Sequence, residues 1–281
     1  VSMGRHDDVL EGLGPSGHEL EELLDTALAA AAAGAEVLRG RDGAHLDVSG
    51  KAEEGDWVTR FDVAAEQAVL RAILDRRPHD TVTGEESGTH RPDAPSGIRW
   101  SVDPLDGTTN FIRDIVYYCT SVAASDAEGN WLVGVVDAPA LGRTYYAVRG
   151  AGAWVERDGA SRRLSGPVPG RPGRLYGTGF AYDPERRERQ IDTFLRSMRQ
   201  YTDMRRLGSA ALDLCMVAEG TLDGYAEQGL HEHDWAAGAL IAEEAGALVE
   251  RPDLPAAADG PVPVAARLAE WITARERGIP G

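Results

Sequence analysis

The stretch Trp100-Ser101-Val102-Asp103-Pro104-Leu105-Asp106-Gly107-Thr108-Thr109-Asn110-Phe111 carries the densest chemistry in the chain. An apolar run delivers Asp103 at its end. Pro104 fixes its own φ and biases Asp103 towards an extended backbone. The chain then turns, so that Asp103 and Asp106 can converge while the Leu105 carbonyl is free of any ladder. Two carboxylates and one carbonyl make a hard-oxygen set suited to Mg²⁺. Gly107 lets the backbone approach a ligand closely. The amides from Gly107 to Thr109 can open a short helix, and such an N-terminus accepts phosphate. Metal carboxylates followed at once by a phosphate cradle point to metal-assisted phosphoryl chemistry. The same Asp-Pro-x-Asp-Gly letters are also plain turn chemistry, so this stretch alone leaves both readings open.

Other carboxylates stand at comparable places. Gly84-Glu85-Glu86-Ser87 follows a short apolar run, where a carboxylate serves as ligand or base, or simply as part of a solvated loop. Asp56-Trp57-Val58-Thr59-Arg60-Phe61-Asp62 precedes a helical pattern that Thr59 or Asp62 can cap. Glu227 to Asp234 reads Glu-Gln-Gly-Leu-His-Glu-His-Asp ahead of Trp235 and an Ala-rich run, so Asp234 too stands at a capping position.

The elements that must hold these residues follow from periodicity. Residues 1–17 read as a frayed tail. Glu19–Arg39 is helical, with Leu20, Leu23, Leu24, Ala27 and Leu28 on one face and Gly40 as a stop. Its Ala27–Ala33 run predicts close packing against another helix. Gly43–Gly55 is a polar loop. A second helix runs from Phe61 to Arg77, ended by Pro78. Short runs rich in Val, Tyr and Trp then follow at Asp80–Thr83, Ile98–Val102, Tyr117–Ala124, Trp131–Asp137, Arg143–Val148 and Ala153–Glu156. No long helix separates them, which predicts an antiparallel sheet.

Arg157–Gly173, rich in Gly, Pro, Arg and Ser, reads as a domain boundary. Strands at Arg174–Thr178, Asp223–Glu227, Ala247–Glu250 and Val262–Ala265 alternate with helices at Glu185–Gln200, Ser209–Glu219, Trp235–Ala245 and Ala266–Arg277. The fold class is therefore α/β, an α+β half over residues 1–160 and an α/β half over 161–281.

Composition excludes several classes. The 281 residues are enough for one large domain or two small ones with a sizeable core. Lys and Arg number 29 against 46 Asp and Glu, a net charge of −17. Such a chain repels phosphate on average and is poorly suited to nucleic acid or an anionic membrane. Handling phosphate would require a local reversal of sign, and a metal ion supplies one. Arg186-Arg187-Glu188-Arg189 is charge-mixed and reads as a solvated helix face. No apolar run approaches the roughly 18 residues of a membrane span. The N-terminal residues show no apolar signal core. Cys119 and Cys215 make no disulfide framework and read as buried thiols, which fits a reducing cytoplasm. Lys51 is the single lysine.

Taken in order, the motifs resemble those of the inositol monophosphatase family, Mg²⁺-dependent, lithium-sensitive phosphatases related to fructose-1,6-bisphosphatase. They are Lys51…Asp56-x-Val58-Thr59-x-x-Asp62, Gly84-Glu85-Glu86-Ser87, Asp103-Pro-Leu-Asp106-Gly-Thr-Thr-Asn110-Phe111, Gly208-Ser209-Ala210-Ala211, and Asp234-x-Ala236-Ala237-Gly238 with Glu243-Glu244-Ala245-Gly246. The resemblance runs from Glu19 to Val249. It implies a layered αβαβα sandwich and, usually, a homodimer. It implies that Glu85, Asp103 and the Leu105 carbonyl hold one Mg²⁺, that Asp103, Asp106 and Asp234 hold a second, and that a third, weaker ion leans on Glu85. It further implies that Thr108 and Glu85 orient and deprotonate a metal-bound water that attacks phosphorus in line, with Asp62 behind Thr108. Asp106, Gly107, Thr108, Ser209 and Ala210 would bound the substrate, and Glu227 would take a sugar or cyclitol hydroxyl. Lys51 matches a family lysine near the metal loop.

Two departures stand out. The family usually has Trp before its last aspartate; here that residue is His233, and Trp235 follows the aspartate instead. Either the Trp is moved within the packing, or His231 and His233 recharge the leaving-group side of the pocket. Mg²⁺ prefers oxygen, so His233 is read as a neighbour of the metal site rather than a ligand. The chain after Val249 is also shorter and richer in Pro and Ala than the family pattern. The expected activity is hydrolysis of a small polyol phosphate such as inositol 1-phosphate. Histidinol phosphate, fructose bisphosphate, 3′-phosphoadenosine 5′-phosphate, and an aminosugar or nucleotide phosphate stay open as substrates. A non-catalytic binding or regulatory protein on the same fold is the reading from another class.

Overall fold

The computed structural model describes residues 17–41, 46–51, 56–168, 170–251 and the backbone of 264–267. Residues 1–16 of the expected frayed tail, and the part of the expected C-terminal helix beyond residue 267, lie outside them, while Gly17 opens the first helix.

Helices α1 (Gly17–Arg39) and α2 (Arg60–Leu74) pack side by side, between them the small hairpin β1 (Ser49–Gly50) and β2 (Trp57–Val58). The hairpin replaces part of the expected polar loop. It forms because Lys51 N–H bonds the Asp56 carbonyl at 2.8 Å and closes the turn. Next come β3 (Thr81–Gly84), β4 (Gly88–His90), β5 (Arg99–Asp106), the one-turn helix α3 (Thr108–Ile112), β6 (Cys119–Ser125), β7 (Trp131–Ala138), β8 (Arg143–Val148), β9 (Gly152–Arg157) and β10 (Ala160–Arg163). They build an eight-stranded sheet in the order β10-β9-β8-β7-β6-β5-β3-β4. From β5 to β10 it is the expected antiparallel meander. β3 and β5, however, are parallel. β4 returns the chain along the outer edge of β3, so the following loop delivers β5 to the other side of β3 in the same direction. β10 lies within the stretch read as a boundary and pairs as an edge strand.

Period-two alternation divides the sheet's faces. Trp100, Val122, Val135 and Tyr146 point to Leu23, Ala27, Ala30 and Val69 of α1 and α2. Cys119, Val136 and Tyr145 point the other way. There they meet α5 (Ala210–Glu219) and α6 (Glu232–Glu244), whose Leu212, Leu214, Trp235 and Leu240 fill the second core. The approach is close because the residues are small: a Cβ on Gly134 would lie 2.9 Å from the Ala237 Cα. Trp235 is fully buried, its ring edge-on to Trp131 at 5.9 Å, so the indole after Asp234 serves packing.

Beyond these helices lies a five-stranded sheet, β12-β11-β13-β15-β14, from β11 (Leu175–Thr178), β12 (Asp203–Arg205), β13 (Gly224–Glu227), β14 (Leu248–Glu250) and β15 (Val264–Arg267). β11, β12 and β13 are parallel, and β15 runs antiparallel to β13 and β14. The helix α4 (Pro184–Ser197) joins β11 to β12 and α5 joins β12 to β13, on opposite sides of β11. Right-handed crossovers then place α4 and α5 on opposite faces, completing the αβαβα layering. Residues 266 and 267 are strand where a helix was expected, because they pair with Tyr225 and Gly224. α6 starts three residues earlier than its apolar pattern, because His231 and Asp234 build its N-terminal cap.

Candidate active site

Asp103 and Asp106 lie on the last turn of β5, where the register against β6 shifts between them. The shift takes the Leu105 carbonyl out of the ladder and leaves its oxygen 3.1 Å from the Thr108 hydroxyl oxygen. Asp103 Oδ1 accepts the Leu105 amide at 3.0 Å. Gly107 then turns the chain with φ of 100°, and Thr108–Ile112 forms a helical turn whose first amides open to a cavity of about 360 Å³.

Four further elements converge there. Glu85 follows β3 and is held by its own loop: Glu66, one turn after Asp62 on α2, accepts the Glu86 and Ser87 amides at 2.8 and 2.7 Å. Ser209 at the start of α5 donates to Asp106 Oδ2 at 2.7 Å, as does the Ala211 amide at 2.7 Å, leaving Oδ1 to the cavity. Asp234 accepts the His231 amide through Oδ2 at 2.6 Å. Glu227 ends β13 and accepts from the Tyr225 hydroxyl at 2.7 Å. Behind this layer Asp62 caps α2, accepting the Thr59 amide and hydroxyl through Oδ2, and takes the Thr108 hydroxyl on Oδ1 at 3.1 Å. Asp62 and Asp234 therefore serve as caps and also face the site's working parts.

Glu85, Asp103, Leu105, Asp106, Gly107, Thr108, Ser209, Ala210, Glu227, His231, His233 and Asp234 all line the cavity. Asp62 stands behind Thr108. Lys51 is not part of the lining; its ammonium holds Glu85 at 2.7 Å and Glu86 at 2.6 Å. Sequence reasoning missed Glu66, whose signal is its place four residues after Asp62 on one helix face. It also missed Tyr182, Arg186 and Arg206 on the cavity wall. Arg186 corrects the reading of its segment as wholly solvated: Arg187, Glu188 and Arg189 are exposed, but the first residue of the run turns to the cavity.

The electrostatics follow from crowding. Burial, and then the neighbouring carboxylates, push Asp103 well above the usual carboxylate range. Burial, joined by the charge of Asp234 on Asp106 and of Glu85 on Asp234, raises Asp106 and Asp234 from 3.8 to about 7. Burial also raises Asp62 and Glu227. Glu85 alone is lowered: burial opposes its charge, but His233 and Lys51 outweigh that. Burial lowers His233. A divalent cation would hold these carboxylates ionised, and the donor set, all hard oxygen apart from one imidazole, fits one.

Together, fold and cluster define a layered α/β protein that sets a crowded group of carboxylates beside a short helical turn at one cavity. The chain belongs to the inositol monophosphatase family, whose sequence model matches residues 19–275. It is 38% identical over 235 residues to an inositol-1-monophosphatase of Mycobacterium leprae, covering 82% of this chain and 76% of that one. It is 40% identical over 199 residues to a Nus factor SuhB of Pasteurella multocida, covering 69% and 71%. Among solved structures, the extragenic suppressor protein suhB of Bartonella henselae superposes with a TM-score of 0.76 at 30% identity, covering 92% of this chain and 97% of that one. Membership supports phosphatase activity. Among the described residues no helix is long and apolar enough to cross a membrane.

Proposed function

We propose that the protein is a Mg²⁺-dependent phosphomonoesterase acting on a small polyol phosphate of the inositol 1-phosphate kind. The observation that carries the reading is the convergence of Glu85, Asp103, Asp106 and Asp234 with the freed Leu105 carbonyl at the mouth of α3. Glu85, Asp103 and the Leu105 carbonyl would hold one ion, and Asp103, Asp106 and Asp234 a second; a third would lean on Glu85. When bound, such ions lower the pKa of water and stabilise charge on the phosphoryl and leaving oxygens.

The chain's own groups do the rest. The amides of Gly107 to Thr109 receive the phosphoryl oxygens. Thr108 Oγ1 donates back to Asp62, which turns its lone pairs to the cavity and lets it orient the attacking water. Glu85 accepts that water's proton. Glu227, steadied by Tyr225, takes a hydroxyl of the polyol, while Ser209 and Ala210 bound the substrate edge. A cytoplasmic homodimer, in the usual state of the family, completes the reading.

The test is phosphate release from inositol 1-phosphate, histidinol phosphate, fructose 1,6-bisphosphate and 3′-phosphoadenosine 5′-phosphate, with Mg²⁺ and with EDTA. Mg²⁺-dependent release from the first is expected, and release from another member alone would reassign the substrate. The Nus factor name of the Pasteurella relative favours a second reading, a regulatory binding protein. Silence across the panel with metal bound would select it.

A further inference from the structure

His233 stands where the family pattern has an indole, and it faces the carboxylates rather than the core. A ring nitrogen of His233 and carboxylate oxygens of Glu85 and Asp103 all lie within 4.8 Å of one another. Donors around one ion at ~2.1 Å are separated by at most ~4.2 Å, so small side-chain rotations bring all three onto a single ion. Nε2 also lies 3.6 Å from Asp234 Oδ1, on the same side of the cavity. The backbone fixes this direction: α6 begins with the His231–Asp234 cap, so the residue just before Asp234 projects beside it over the cavity. The indole that would otherwise fill this wall sits at Trp235, in the core.

We propose that His233 is a direct nitrogen donor to the cation held by Glu85 and Asp103, and that it makes this position prefer a first-row transition-metal dication over Mg²⁺. The inference rests on the metal reading above and deepens it. Imidazole adds little to Mg²⁺, which seeks oxygen and keeps its waters. It strengthens binding of Mn²⁺ and the later metals, while the oxygen-rich remainder of the set still suits Mn²⁺. It assigns His233 a different role from the sequence-based one, which placed it as a neighbour of the site.

Mn²⁺ is the probe, used on the metal-stripped full chain. Pulsed electron paramagnetic resonance reads ¹⁴N coupling to bound Mn²⁺, and calorimetry compares Mn²⁺ with Mg²⁺. Nitrogen coupling is expected in the native protein and should vanish in His233→Gln, which keeps size and polarity. The Mn²⁺ over Mg²⁺ preference should fall about tenfold or more in that variant. Bound Mn²⁺ without nitrogen coupling in the native protein would overturn the proposal, whatever the variant does, and would leave the carboxylate metal site standing. Coupling and preference that persist in His233→Gln would overturn it equally. If neither ion binds the native protein, the metal reading itself fails and takes this inference with it.

Discussion

Asp106 and Asp234 each give one oxygen to a helix start and keep the other for the cavity, which makes their chemistry separable from their structural work. An isosteric amide keeps an accepting oxygen for the backbone and loses only charge. Asp103→Asn should therefore fold normally by circular dichroism, because its oxygen can still accept the Leu105 amide, while turnover with Mg²⁺ falls by about 100-fold or more. Retained activity would remove Asp103 from both ion positions. The raised carboxylates also set a pH dependence. Burial and neighbouring carboxylates push Asp106 and Asp234 up to about 7, and an ion must displace those protons. Calorimetric affinity for Mg²⁺ should climb between pH 6 and pH 8, and a flat profile would show that the pair does not bind it.

At the level of elements, the strand-turn-helix of β5 and α3 is the working unit. Gly107 is its pivot: a Cβ there would stand 3.0 Å from the Tyr117 carbonyl, on a backbone at φ of 100°. Gly107→Ala should cost about 1–3 kcal/mol of stability, seen in urea unfolding, and raise KM as the amides of α3 shift. Trp235→Ala empties a buried indole site and should cost about 3–5 kcal/mol without removing a cavity-lining group. A loss below ~1 kcal/mol would show that the core around Trp131 collapses onto the gap. Local signals are legible: the expected strand Arg143–Val148 coincides with β8, Ser209 caps a helix, and Pro, Gly and paired Asp mark the turn after Val102, although β5 itself runs on to Asp106. What could not be read depended on distant partners. The parallel pairing of β3 with β5 is set by the return of β4, β12 is too short to carry a period, and Arg186 reaches the cavity from a helix that Gln190 ties to the Gln228 carbonyl beyond β13. His231 and His233 were placed near the pocket, but the direction of His233 follows from a cap seen only in three dimensions.

For the molecule as a whole, crowded carboxylates oppose folding as they ionise. Asp103, Asp106, Asp234 and Glu227 have folded-state values above their unfolded ones, so the native state holds more protons through the window from about pH 4 to about 7. Stability of the metal-free protein should thus fall as pH rises through that window. His233, lowered by burial, and Glu85, lowered by His233 and Lys51, work in the opposite direction, but the raised carboxylates, Asp62 among them, outnumber them. Thermal melts in EDTA should show a decreasing Tm from pH 5 to pH 7.5, and saturating Mg²⁺ should flatten or reverse the trend. A rising Tm in EDTA would contradict the crowding.

Lys51 is the only lysine in 281 residues, and it touches the loop that carries Glu85. Burial works against its charge, but Glu85 and Glu86 together hold the ammonium protonated beyond the usual lysine value. Amine-directed acylating reagents therefore have a single side-chain address on this protein, and that address is quenched by the acids beside it. A cation drawn onto Glu85 would loosen the quench, so the rate at which one tag is acquired, read by mass spectrometry, becomes a gauge of occupancy that needs no substrate.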